Sequence, residues 1–260
     1  LRRRLGRAPV TGRPPAAPRP PAPAPVPAKG WRHEVRSWSK SLVIALAIWL
    51  VLRSYIVEAF RIPSASMENT LLVGDFLFVD KLSYGGEFQI PFIGVRFLRM
   101  KRFTDPKANS IVVFRSVEDS TPNLDIVKRV IGVPGDTLQM VHDTVYRNGK
   151  ALDEPYALHL AATPIPDDPV LTAKMRGLQL PRYIGKNPET YRPTVHAWGP
   201  IVVPPASYWV MGDNRDESYD SRYWGFLPRS HVEGRPLFIY LSVASDPFRI
   251  RWNREFRHPS

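Results

Sequence analysis

The stretch Leu124-Asp-Ile-Val-Lys128-Arg-Val-Ile-Gly-Val-Pro-Gly-Asp136 decides the fold. Its β-branched content predicts a strand over 125–133, closed by the Val-Pro-Gly-Asp turn. Side chains alternate across a strand, so Ile126, Lys128, Val130 and Gly132 share one face. Lys128 then stands between two apolar neighbours, where burial disfavours the charged ammonium. Lowering its pKa from ~10.4 to ~7–8 costs about 4 kcal/mol and leaves an amine able to accept a proton. The same pattern also suits an edge strand whose lysine head reaches water.

Outward from this strand, similar runs predict strands at 76–80, 110–115, 137–146, 201–203, 208–211 and 238–243, separated by Gly, Pro and Asp turns. The expected fold is mainly β, with a barrel-like domain formed by 60–150 and 201–245. Residues 151–200 are richer in proline and poorly periodic, and are expected to form an inserted second subdomain. Residues 246–260 interleave Phe248, Trp252 and Phe256 with Arg249, Arg251 and Arg254. That pattern suits a lipid interface and equally a terminal strand.

The chain has 260 residues, net charge +12 and pI about 10.1, and no cysteine. Disulfide scaffolds, thiolate metal sites and cysteine nucleophiles are excluded. Residues 1–40 carry ten Lys or Arg against one acid, Glu34, which is +9 of the +12 and leaves +3 for the rest. They also hold nine of the 28 prolines. Such a tail is expected to be extended, solvated and disordered. The pI therefore describes the tail and not a nucleic-acid-binding face, although a nucleic-acid arm is an alternative reading.

After Lys40 comes the uncharged run Ser41-Leu-Val-Ile-Ala-Leu-Ala-Ile-Trp-Leu-Val-Leu52, which extends to Val57 if Arg53 is tolerated. A spanning helix needs ~20 apolar residues, with a range of about 17–25. Arg53 lies near one end, where its stem can snorkel, and Trp49 and Tyr55 suit the interface. A cleavable signal peptide lacks a small-x-small pair here, and a buried core helix leaves the basic flank unexplained. The expectation is one transmembrane anchor over 41–59, with the tail cytoplasmic and the remainder on the outer side of the inner (plasma) membrane.

Chemistry concentrates in two further stretches. Phe60-Arg-Ile-Pro-Ser64-Ala-Ser66-Met-Glu-Asn-Thr70-Leu-Leu-Val-Gly-Asp75 places three hydroxyls in a tight turn broken out by Pro63. Such a turn is often only a loop, and a nucleophilic serine needs a base. His142, His159, His196 and His231 have no signature around them, and there is no G-x-S-x-G elbow. Lysine is the other option, since Ser–Lys pairs are a recognised variant. The second stretch, Gly212-Asp-Asn-Arg-Asp-Glu-Ser218-Tyr-Asp220-Ser-Arg222-Tyr-Trp-Gly225, alternates acids with arginines and reads as a salt-bridged loop that holds other elements in place. It has no metal-site pattern.

Taken together and in this order, Pro-Ser-Ala-Ser-Met-x-x-Thr-Leu (63–71), Gly-Asp (74–75), Asp-x-x-Lys-Arg-x-x-Gly-x-Pro-Gly-Asp (125–136) and Gly-Asp-Asn-Arg-Asp-x-Ser-x-Asp-Ser-Arg-Tyr-Trp-Gly (212–225) resemble the type I signal peptidases, membrane-anchored Ser/Lys proteases. The resemblance covers roughly 41–242. It implies Ser66 as nucleophile and Lys128 as general base, with the Ser66 N–H and the Ser64 hydroxyl as oxyanion hole. It implies that Ser218 orients the Lys128 amine, that Arg129 pairs with Asp213, and that Asp220 pairs with Arg222. Phe60, Ile62, Leu71 and Val127 would line substrate pockets, with Asp125 beside the peptide. Asn69 departs from the proline usual in the family and Ala65 from the frequent glycine. The implied partners are signal peptides of exported preproteins and the bilayer, with a monomeric protein near the translocon. No cofactor, metal or nucleic acid is implied. The alternatives are another Ser/Lys protease, of the self-cleaving LexA type, and a catalytically inactive, membrane-tethered binding protein.

Overall fold

The computed structural model describes residues 31–55, 57–85, 87–89, 96–99, 103–159 and 168–259. Helix α1 spans Trp31–Tyr55. It starts ahead of Ser41, within the segment expected to be disordered, and the rest of that tail lies outside the described residues. The anchor expected over 41–59 is also redrawn at its end, because 57–59 belong to strand β1, Val57–Arg61. The side chains of Leu42, Val43, Ile44, Leu46, Ile48 and Trp49 are exposed. Among the described residues no helix is long and apolar enough to cross a membrane.

The strands that follow are β2 (Asp75–Asp80), β3 (Glu87–Gln89), β4 (Arg96–Arg99), β5 (Ile111–Arg115), β6 (Asp125–Gly132), β7 (Thr137–Val141), β8 (Thr144–Arg147) and β9 (Lys150–Ala151). After helix α2 (Pro169–Gln179) come β10 (Trp198–Val202) and β11 (Ser207–Met211), the short helix α3 (Ser221–Trp224), then β12 (Leu227–Pro228), β13 (Val232–Ser245) and β14 (Phe248–Ile250). The main sheet has the order β1-β2-β13-β5-β6-β11-β12, with β14 paired to β13. It is mainly β, as expected, but open: the path ends at β1 and β12, giving a half-barrel. Register shifts along β13, at Val232/Gly234, Pro236/Phe238 and Ile239/Leu241, let one strand pair with β5 at its start and β2 further on. Bulges of this kind bend a strand and increase its twist.

Alternation explains why β5 is central. Ile111 and Val113 enter a cluster with Leu71, Leu77, Val79 and Ile239, while Val112 and Phe114 enter another with Val130, Tyr208 and Leu227. Both faces of the strand are covered, and each fully buried Val, Leu or Phe contributes roughly 1.5–3 kcal/mol. Lys128 lies opposite Val112 in the β5–β6 ladder, on the face that carries Ile126 and Val130.

Two expectations are corrected here. The single strand expected over 137–146 is the hairpin β7–β8, turned at His142 and Asp143, whose φ angles are 47° and 63°. A two-residue hairpin turn of this kind requires positive φ at both central residues. The insertion also starts before 151. The four-stranded sheet β10-β7-β8-β9 takes strands from both sides of 151–200. Its core joins Leu138, Met140, Val145, Met175 and Trp198 to Ile131, Trp209 and Met211 of the main sheet. Residues 160–167 lie outside the described residues.

Candidate active site

The serine turn is a closed loop. The Ile62 N–H donates to the Asp75 carbonyl at 2.8 Å, and the Gly74 N–H donates to that of Ile62 at 3.0 Å. Ser64 is extended (φ −132°, ψ 159°) and Ala65–Met67 make one 3₁₀ turn. Ser66 is thus second in the turn, where its N–H has no acceptor within the turn. It is nearly buried, and Ser64 Oγ lies 3.4 Å from Ser66 Oγ. The far end of the loop is anchored by Asp75, which accepts from Leu72 N–H at 2.8 Å and from Arg254 at 2.6 and 3.1 Å.

Lys128 Nζ lies in hydrogen-bond contact with Ser66 Oγ at 2.5 Å. The lysine is 3% exposed. Burial draws its pKa from 10.5 down to about 8, with Asp220 and Asp213 opposing the fall and Arg222 adding to it. A buried ammonium loses hydration that these charges only partly replace.

The loop after β11 packs directly on the turn. The Asn214 N–H donates to the Ser66 carbonyl at 3.2 Å. Gly212 has no room for a side chain, because a Cβ would meet Ser218 Oγ at 2.3 Å and the Ser66 carbonyl oxygen at 2.4 Å. The Gly212 N–H is shared by Ser218 Oγ and Asp220 Oδ2, both at 3.1 Å. Asp220 is fully buried and held by Arg222 through Nε (2.9 Å) and Nη2 (3.0 Å). Burial pushes the Asp220 carboxyl up, but Arg222 and hydrogen bonds from Ser218 and Gly212 bring it below its ordinary value. The Ser218 hydroxyl therefore serves Gly212 and Asp220. Among the described residues no hydrogen bond joins it to Lys128 in this structure, where the expected contact with the amine is replaced by one to the Gly212 N–H.

Arg129, adjacent in sequence but on the other face of β6, donates from Nε to Asp213 Oδ1 at 2.8 Å and from Nη2 to Oδ2 at 2.7 Å. Thr70 Oγ1 donates to the same carboxylate at 2.5 Å and accepts from Arg129 at 3.2 Å, which ties the serine turn to the pair.

The expected pocket residues gather on one side of the turn, with a difference in depth. Phe60 and Val127 are half-buried, while Ile62 and Leu71 sit inside the core cluster they pack against. Leu71 is 0% exposed and Ile62 is 4% exposed, so both lie beneath the half-buried Phe60 and Val127. Asp125 is half-buried at the start of β6, opposite Arg115.

Several groups in the site were not anticipated. Arg215 makes a bidentate pair with Glu154 at 3.0 and 2.7 Å, Tyr156 lies over Arg129, and Asn69 donates its amide to Tyr156 and Pro155 carbonyls at 3.2 and 3.4 Å. The alternating arginines of the polar loop signalled a need for carboxylate partners but not which one. Asn69 holds φ 85°, which the ring of proline cannot adopt. Among the described residues, no cluster of three or more His, Asp or Glu has metal-binding spacing.

The family model described as signal peptidase, peptidase S26, matches residues 35–241. Signal peptidase I of Pseudomonas fluorescens is 35% identical over 218 residues, covering 79% of this chain and 72% of the relative. A protein described as probable signal peptidase I-2 of Synechocystis sp. is 34% identical over 207 residues, covering 78% of this chain and 72% of its own length. Signal peptidase I of Pseudomonas aeruginosa is 34% identical over 216 residues, covering 79% and 72%. With a family model matched over most of its length and relatives of this identity and coverage, the chain belongs to the signal peptidase family, peptidase S26.

Proposed function

We propose that this chain is a serine endopeptidase that removes signal peptides from exported preproteins, with Ser66 as nucleophile and Lys128 as general base. The observation that carries the reading is the 2.5 Å contact between a serine hydroxyl and a dry lysine amine. Neutral Lys128 accepts the Ser66 proton as Oγ attacks the scissile carbonyl. The Ser66 N–H and the Ser64 hydroxyl stabilise the oxyanion, a charge absent from the bound substrate. The protonated amine returns its proton to the leaving amino group. It then takes one from the water that hydrolyses the acyl-enzyme, and Ser66 is regenerated. The buried Asp220–Arg222 and Asp213–Arg129 pairs hold the loop and β6 around the amine. An extended peptide adds as a strand beside 125–128, with small side chains entering the pocket of Phe60 and Val127.

Anchoring by α1 is part of the same proposal. Its exposed residues Leu42–Trp49 are apolar around the helix, an arrangement that favours lipid over water, and Lys40 precedes them on the side read as cytoplasmic. The catalytic domain then works on the outer side of the inner (plasma) membrane, as a monomer near the translocon that delivers preproteins.

The test uses the full chain in detergent with a preprotein whose signal ends in Ala-x-Ala. Ser66→Ala and Lys128→Ala are each expected to abolish cleavage while circular dichroism is retained. Cleavage at the normal rate by folded Lys128→Ala would overturn the proposal.

A further inference from the structure

We propose that Tyr156, in the inserted segment, is a positioning residue of the site that holds the base strand from the face opposite Lys128. The inference rests on the reading above. The Tyr156 ring covers the Arg129 guanidinium, 3.8 Å from ring centroid to the carbon. A cation over an aromatic face is attracted by it, more so when both are out of water. The ring is itself fixed. Its hydroxyl donates to Glu154 at 2.9 Å, and Glu154 takes two bonds from buried Arg215.

The same short segment reaches the other two parts of the site. Asn69, three positions after Ser66, donates to the Tyr156 carbonyl at 3.2 Å. The Leu158 N–H donates to the Asp213 carbonyl at 2.7 Å, and the Arg215 N–H donates to the Leu158 carbonyl at 2.9 Å. Residues 154–158 thus touch the serine turn, the base strand and the polar loop at once. A cavity of about 670 Å³ opens beside them, lined in part by Asn69, Thr70, Arg129 and Tyr156. This space already reaches Arg129, and with the ring gone it widens over the guanidinium face that the ring covers. The charged groups that face Lys128 are Asp220, Arg222 and Asp213. Looser packing of β6 admits water to the amine, restores its charged form and moves it relative to Ser66.

The experiment compares Tyr156→Leu, Tyr156→Phe and Asn69→Gly in the full chain, reading kcat, KM, the pH profile of kcat/KM, and melting temperature. Tyr156→Leu is expected to lower kcat by about 10²-fold with KM little changed, the scale of a small misplacement. Its acid limb is expected to move up by about one pH unit. Tyr156→Phe keeps the ring face and is expected to keep the parental limb. Asn69→Gly keeps the positive φ, loses only the amide, and is expected to change kcat in the same direction as Tyr156→Leu. A Tyr156→Leu protein that melts earlier with the parental limb and kcat would assign the ring to stability alone and overturn the inference. So would Tyr156→Phe behaving like Tyr156→Leu. If Tyr156→Leu does not fold, Asn69→Gly decides, and parental kcat there contradicts the proposal. Failure of the parental protein to cleave, or cleavage by Ser66→Ala, would instead defeat the underlying reading.

Discussion

Arg254 clamps Asp75 from the far end of the chain, with Nη2 2.6 Å from Oδ2 and Nε 3.1 Å from Oδ1. The same guanidinium donates to the Thr70 carbonyl at 2.9 Å. Asp75 closes the loop that carries Ser66, so the C-terminal segment holds the serine turn shut. Phe248, Trp252 and Phe256 of that segment are exposed. Arg254→Ala leaves a fully buried carboxylate without its main partner, a change that costs about 3–5 kcal/mol. Arg251, 3.8 Å from the same carboxylate, offsets part of this, so about 3 kcal/mol is expected. Urea unfolding of the full chain checks it, and a loss under about 1 kcal/mol would show that Asp75 does not depend on Arg254.

Gly212→Ala is expected to be folded but nearly inactive. The added carbon meets the Ser66 carbonyl oxygen and Ser218 Oγ, and neither is the end of a long flexible side chain. Overpacking of this type costs typically 1–3 kcal/mol and shifts backbone. The shift falls on Ser66, the proposed nucleophile, so kcat is expected to drop more than stability. Parental kcat in the variant would show that the loop and the turn move independently.

Removing the Ser64 hydroxyl tests the oxyanion assignment. Ser64→Ala is expected to lose about 10²–10³ in kcat with little change in KM, because the donor acts on charge that forms only in the transition state. A change confined to KM would place Ser64 in ground-state binding instead.

Lys128 also sets a pH dependence of stability. Its pKa is about 8 in the folded chain against 10.5 unfolded. Below pH 8 both states hold the proton and the fold bears the full cost of burying it, roughly 3 kcal/mol at 1.36 per unit. Between pH 8 and 10.5 the unfolded chain alone stays protonated, so stability rises with pH. Buried tyrosines act in the opposite sense above pH 10, as Tyr191, pushed up to about 12 by burial, illustrates. The clean window is therefore pH 8 to 10. Lys128→Met is expected to be more stable than the parent at pH 7 and to lack the rise. Parallel curves for the two proteins would mean that the amine is hydrated in the fold.

How much of this was legible depended on whether the deciding interaction was local. Strand β6 was readable because Ile126, Val127, Val130 and Ile131 are β-branched and the Pro-Gly turn ends the run. The hairpin β7–β8 was not, since His142-Asp143 is an unusual pair for a turn with two positive φ angles. The Asn148-Gly149 turn between β8 and β9 carries a stronger signal. In the site, Ser66 and Lys128 stood out through motif order, which no local propensity supplies. Glu154–Arg215 and Asp75–Arg254 join positions 61 and 179 residues apart, and nothing near either member names its partner. Ser218 was expected to bond the Lys128 amine, whereas its hydroxyl accepts from the Gly212 N–H, because one hydroxyl has several neighbours to choose from within a buried loop.

The central claim is that the Lys128 amine is dry enough to lose its proton near pH 8, well below an ordinary lysine, while touching Ser66. The pH dependence of kcat/KM on a preprotein substrate tests this most directly, because it reports the pKa of the free enzyme's base. The account predicts an acid limb near pH 8, where burial places the amine. A limb near 10.5, the ordinary lysine value, would contradict it.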